Sequence, residues 1–173
     1  MKRLASFLLL LMILPIGACG AGKDDPNIKY GGIGDTMSTK RFDFVVTDAY
    51  SCGQYLGYAP SAGYQIVVVT VQIRNDCGQP VDMRGDDFVI HWGGDDDIFD
   101  VDIPLPAGLS GDQFPDEYVL DAKESKNGVM VFEVPREFRD FTIRFMEPFE
   151  SDTDPDSGEG DTFFVDFTAE DRE

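Results

Sequence analysis

Three groups of side chains in this sequence have the types and spacing to do chemistry. The first is the acidic stretch Ser151–Asp161, reading SDTDPDSGEGD, in which Asp152, Asp154 and Asp156 alternate. Alternating carboxylates suit Ca²⁺, a hard cation that gathers oxygen ligands from a wrapping loop. An EF-hand loop needs Gly at its sixth position and a bidentate Glu at its twelfth. Counted from Asp152, those positions hold Ser157 and Phe163, so an EF-hand is excluded. The stretch reads either as a solvated acidic hairpin loop or as a calcium site of another design. The second group is Asp95, Asp96 and Asp97, with Asp100 and Asp102 close behind. Adjacent carboxylates repel unless a cation or water intervenes, so the same two readings apply. The third is Tyr50, Tyr55, Tyr58 and Tyr64, in or beside the loop Ser51–Gly63. Tyr rings supply rigid amphipathic contact area and Gly and Ser adapt around them, as in binding loops. The other reading is a long loop held on its own sheet by those rings.

Catalytic patterns are thin by comparison. His91 is the one His of the chain, so a multi-His metal site is excluded and a Ser–His–Asp site has one candidate base. His91 falls in an alternating segment where a half-exposed structural role is the ordinary one. Gly108-Leu109-Ser110-Gly111 lacks the second spacer of a nucleophile elbow. No Gly-rich loop opens a helix, so nucleotide phosphate has no cradle. The expectation is a non-enzyme with no cofactor other than calcium at the acidic stretches. With 33 Asp plus Glu against 14 Lys plus Arg, the formal charge is −19. That argues against nucleic acid as a partner and against electrostatic attraction to an anionic bilayer.

The elements that must position these groups read as strands. The 173 residues, 42% of them hydrophobic, suit one folded domain. Phe42, Phe44 and Val46 alternate with Asp43, Val45 and Thr47 over Arg41–Asp48. In Tyr64–Asn75, Val67, Val69, Val71 and Ile73 share one face, and Ile66, Val68, Thr70, Gln72 and Arg74 the other. Further segments are Phe88–Trp92, Ile98–Ile103, Val129–Pro135, Phe141–Phe145 and Phe163–Thr168. Period two, aromatic and β-branched enrichment, and Gly/Pro/Asp punctuation predict an all-β, two-sheet sandwich of seven or eight strands.

The N-terminus carries a compartment signal. Met1-Lys2-Arg3 is followed by an apolar run to Ile16, too short for a membrane span. Ile16-Gly17-Ala18-Cys19 resembles the bacterial lipobox. The resemblance implies cleavage before Cys19 and diacylglycerol on its thiol, with the lipid bilayer as partner. Residues 1–18 are then a signal peptide, 19–34 a flexible tether and 35–173 the domain. With Cys19 lipidated, Cys52 and Cys77 remain, and outside the cytoplasm two thiols are usually oxidised, so a Cys52–Cys77 disulfide is expected. Against it stands a simple hairpin, which would put the two Cys at opposite ends of its second strand.

Gly34-Asp35-Thr36, Phe42-Asp43-Phe44, Gly63-Tyr64 leading into Val67–Val71, Asn75, Asp87-Phe88, Phe132-Glu133-Val134-Pro135 and Phe141–Phe145 carry a wider likeness. Together they resemble bacterial secreted lipoproteins with an immunoglobulin-like domain of unknown function, similar in fold to a mycobacterial immunoprotective extracellular antigen. The family's Pro-Gly turn is replaced here by Leu120–Gly128, which has no Pro. The resemblance implies an immunoglobulin-like sandwich and no catalytic residues. The expected role is a non-catalytic binding module on the outer face of the cell membrane, of Gram-positive type. Its partner would be an envelope protein, peptide or glycan, met through end loops. A calcium-binding or calcium-stabilised surface module is the alternative.

Overall fold

A computed structural model describes residues 25–93, 101–147 and 160–172. It shows the expected all-β, immunoglobulin-like two-sheet sandwich. Twelve strands are assigned among the described residues, rather than seven or eight: β1 (Ile28–Gly32), β2 (Thr36–Ser38), β3 (Asp43–Cys52), β4 (Tyr64–Arg74), β5 (Val81–Arg84), β6 (Phe88–Trp92), β7 (Val101–Asp102), β8 (Glu117–Leu120), β9 (Ser125–Pro135), β10 (Asp140–Met146), β11 (Thr162–Thr168) and β12 (Glu170–Asp171). The additions to the sequence reading are short edge and ribbon strands, whose two to five residues give little periodicity to read.

One sheet has the order β1-β11-β10-β6-β7. The other has the order β12-β3-β4-β9, with β2 also paired to β3. β5 and β8 form a separate two-stranded ribbon. β4 is central, and both of its faces are buried because both are apolar. Val67, Val69, Val71 and Ile73 enter the main core, whereas Ile66 and Val68 enter a second cluster with Val131. The β4–β9 ladder runs unbroken from Tyr64 opposite Pro135 to Arg74 opposite Ser125, so the missing Pro-Gly turn does not disturb the register.

The main core is an aromatic bridge between the sheets. Phe44 meets Phe88 edge-on at 5.3 Å and Phe163 at 6.1 Å, and Phe42 meets Phe145 at 5.0 Å. Burying one such ring contributes about 1.5–3 kcal/mol, and favourable ring pairs add about 0.5–1.5 kcal/mol each.

Two expectations need correction. The flexible tether of 19–34 is shorter than expected. Residues 28–32 form β1, which pairs in parallel with β11 from Ile28 opposite Thr162 to Gly32 opposite Asp166. The folded domain therefore begins ahead of residue 35. Gly31 has a packing reason to lack a side chain, since a Cβ there would meet the end of Met37 at 1.9 Å. The Cys52–Cys77 disulfide is not formed; both are free thiols. Cys52 ends β3 opposite Ile66, near the start of β4, and Cys77 follows the end of β4 at Arg74. Eight residues of strand from Ile66 to Arg74 extend about 27 Å, far beyond the roughly 4.4–6.8 Å a disulfide requires.

Candidate functional site

The Tyr-rich loop turns its rings inward. Tyr55 and Tyr58 exchange backbone hydrogen bonds of 2.9 and 2.8 Å around Leu56 and Gly57. Those two residues have φ of 46° and 91°, the left-handed pair of a type I′ turn. Gly57 adopts this freely; Leu56 is held there at a steric cost. The turn lies on the second cluster, where Tyr50, Tyr55, Tyr58 and Cys52 cover Ile66, Val68 and Val131. The Tyr58 hydroxyl donates to Glu133 Oε2 at 2.6 Å, and the Ser61 N–H donates to Glu133 Oε1 at 2.8 Å. The hydrogen bond from Tyr58 is the main cause holding Glu133 below the usual carboxylate range. Burial raises the Tyr50 phenol. Only Tyr64, 40% exposed, and Leu56, 69% exposed, present apolar area outward. Tyr50, Tyr55 and Tyr58 are structural covers, and Tyr64 stands apart from them.

The C-terminus locks the same end. The Arg172 guanidinium donates to both oxygens of Asp48 at 2.8 Å and lies 4.4 Å over the Tyr50 ring. The Asp171 carboxylate accepts from Ser51 Oγ at 2.7 Å and from Arg139 at 2.9 Å.

His91 lies in β6 opposite Thr142 and meets Phe164 edge-on at 6.4 Å. Its Nε2 is buried without a partner. Burial, then the nearby Arg144 charge, lowers its pKa to about 4, so the ring is neutral near pH 7. Among the described residues, no hydrogen bond joins its ring to a carboxylate as in a catalytic triad.

The acidic candidates Asp95, Asp96, Asp97, Asp152, Asp154 and Asp156, and Cys19 at the anchor, lie outside the described residues. Their flanks belong to opposite ends of the sandwich. Trp92 pairs with Phe141 at one end of β10, and Met146 with Thr162 at the other, about 20 Å away. Among the described residues, no group of three or more His, Cys, Asp or Glu is placed to hold a metal ion.

A cleft on the flank of the sandwich was not anticipated. It encloses about 410 Å³, within the usual range of small-ligand pockets. Its apolar lining is Leu105, Phe114, Val129 and Met130, with Ile103 and Pro104 on the wall. Arg84, Asp86, Asp116 and Glu117 supply the charged part of the lining.

The wall is built with care for its backbone. The Leu105 N–H donates to Val131 O at 2.7 Å, hanging the 103–106 segment on the free edge of β9. Buried Gln113 then staples it: its Nε2 donates to the carbonyls of Leu105 and Pro106 at 2.8 and 3.1 Å, and its Oε1 accepts from the Leu109 N–H at 3.1 Å. Asp116 accepts from the Ala107 N–H at 2.8 Å. Phe114 stacks on Tyr118 at 5.5 Å and lies against Gly128. A Cβ on Gly128 would approach the Phe114 ring to 2.9 Å. The sequence signals were faint: Pro104 and Pro106 lack N–H groups, which keeps the segment extended without a full ladder.

No protein-family model and no curated protein matches this chain. Solved structures do share its fold. A candidate lipoprotein of Bacillus subtilis (ycdA) is 14% identical with a TM-score of 0.56, covering 78% of this chain and 38% of its own. The yjhA protein of Bacillus subtilis is 11% identical with a TM-score of 0.54, covering 82% of this chain and 99% of its own. A protein of unknown function from Listeria monocytogenes is 12% identical with a TM-score of 0.55, covering 81% and 84%. At these identities the likeness is one of fold.

Proposed function

We propose that the protein is a non-catalytic binding module, lipid-anchored through Cys19 on the outer face of a Gram-positive cell membrane, and that the flank cleft is its binding site. The cleft carries the reading: it combines an apolar lining with a few fixed polar groups, the usual composition of a ligand site. The lipobox-like Ile16-Gly17-Ala18-Cys19 supports the anchor. The description of one structure sharing the fold as a candidate lipoprotein agrees with it. Two acyl chains hold such a domain on a bilayer despite its negative charge.

The test is to express the full chain in a Gram-positive host. Wild type partitions with detergent and is protease-accessible on protoplasts, and Cys19→Ala is lost to the medium. On liposomes, the anchored chain binds isolated envelope saturably. Ile103→Arg at the cleft abolishes that binding, and Leu56→Arg at the loop tip does not. Envelope binding that follows Leu56 instead would move the site to the loop.

A further inference from the structure

We infer that the cleft takes a cationic peptide segment, with an apolar side chain inserted between flanking Lys or Arg residues. The inference rests on the cleft being the binding site. The Arg84 guanidinium donates to both oxygens of Asp86, at 3.0 and 3.2 Å, and faces Glu117 across the β5–β8 ribbon, so its one positive charge is set against two carboxylates. Asp86 in turn keeps Arg84 firmly protonated. Among the described residues, Asp116 accepts from the neutral backbone amide of Ala107, and Asp102, just outside the lining, from that of Ile103, so neither of these bonds is to a cation. Glu117 stands exposed on β8 beside them.

The layout of these charges selects the shape of the ligand. Asp102 precedes the apolar wall that begins at Ile103, and Asp116 is tied to the far end of that wall at Ala107. The carboxylates of Asp86, Asp116 and Glu117 share the lining with Ile103, which is 55% exposed. Low-dielectric walls concentrate such a field at the cleft. A peptide with an apolar centre and cationic flanks satisfies Ile103 and the carboxylates together. An acidic polymer or anionic lipid headgroup is repelled by the same field.

The experiment uses the full mature chain in non-ionic detergent micelles and three labelled heptapeptides, KKLFLKK, EELFLEE and KKSGSKK, read by fluorescence anisotropy. The expected result is saturable binding of KKLFLKK, weakened at least about fivefold by Glu117→Lys and by Ile103→Arg, and weakened further by raised salt. The other two peptides bind about tenfold more weakly or not at all. If EELFLEE binds equally well, or Glu117→Lys changes nothing, the charge inference is overturned and the cleft remains a site for another ligand. If none of the three binds, the inference is also overturned. If envelope binding is in addition indifferent to Ile103→Arg, the cleft itself ceases to be the site.

Discussion

The Tyr-rich loop and the flank cleft both lean on the sheet formed by β3, β4 and β9, and they use their apolar residues in opposite ways. The loop directs Tyr50, Tyr55 and Tyr58 onto Ile66, Val68 and Val131 and ties Tyr58 to Glu133. The cleft holds Leu105 and Phe114 by backbone bonds, a Gln staple and a ring stack; Phe114 is buried, Leu105 rests on the same second cluster, and Ile103 faces outward. Residue type alone left the loop open as a contact surface or as a cover for its own sheet. Shape favours the cleft, a concavity with exposed Ile103 set among charged groups, whereas the loop lays its rings on the sheet.

Four variants or measurements sharpen this contrast, in falling order of effect. Ile66→Ala removes a fully buried side chain beneath the loop and should cost about 2–5 kcal/mol in denaturant unfolding. Leu105 and Val129 of the cleft rest on the same cluster, so cleft affinity should fall as well, but by less than in Ile103→Arg. Gly128→Ala drives a methyl against the Phe114 ring, costs about 1–3 kcal/mol by overpacking, and should weaken cleft binding as that ring shifts. Glu117→Lys should leave stability within about 0.5 kcal/mol, as an exposed surface change does, while weakening the cationic peptide.

The fourth concerns thiol reactivity. Cys52 lies among the residues covering the second cluster, and burial pushes its thiol up. In the folded protein it should be alkylated by iodoacetamide at least about tenfold more slowly than Cys77, with the rate rising in Ile66→Ala. Equal rates would show an open loop. Both thiols should be free without reductant.

The loop also has a small pH signature. Glu133 is held below its ordinary 4.5, chiefly by the bond from Tyr58. A lowered folded value means that its contribution is present above about pH 4.5 and is lost as pH falls through the folded value. Tyr58 is held above its ordinary 10.0, chiefly by the same bond, so its contribution is present below that pH and fades on further alkalinisation. In melting temperature against pH, Tyr58→Phe should shrink both limbs, with Tyr50 and Cys52 keeping part of the alkaline one. The pair is only half-buried, so solvent screens it and both limbs are shallow.

Much of the fold was legible because long strands repeat their pattern. β4 declared both of its faces, and the Phe42, Phe44, Phe88, Phe145 and Phe163 core followed from alternation. Strand β1 was hidden because Ile28-Lys29-Tyr30-Gly31-Gly32 alternates weakly and gains its order from β11, far along the chain. The disulfide expectation came from compartment and counting, and hairpin geometry overruled it. The loop was legible as a choice between surface and cover, and burial decided it. The cleft was not legible, since it joins Arg84, Ile103, Phe114 and Met130 from segments that no local pattern connects.

The central claim is that the partner sits in the cleft and not on the Tyr-rich loop. The most direct measurement places a benzophenone side chain at the apolar centre of the cationic peptide, irradiates the complex with the anchored full chain, and maps the crosslinks by mass spectrometry. The account predicts crosslinks within 103–106 and 113–117, suppressed by Ile103→Arg. Crosslinks concentrated at Leu56 and Tyr64 would contradict it.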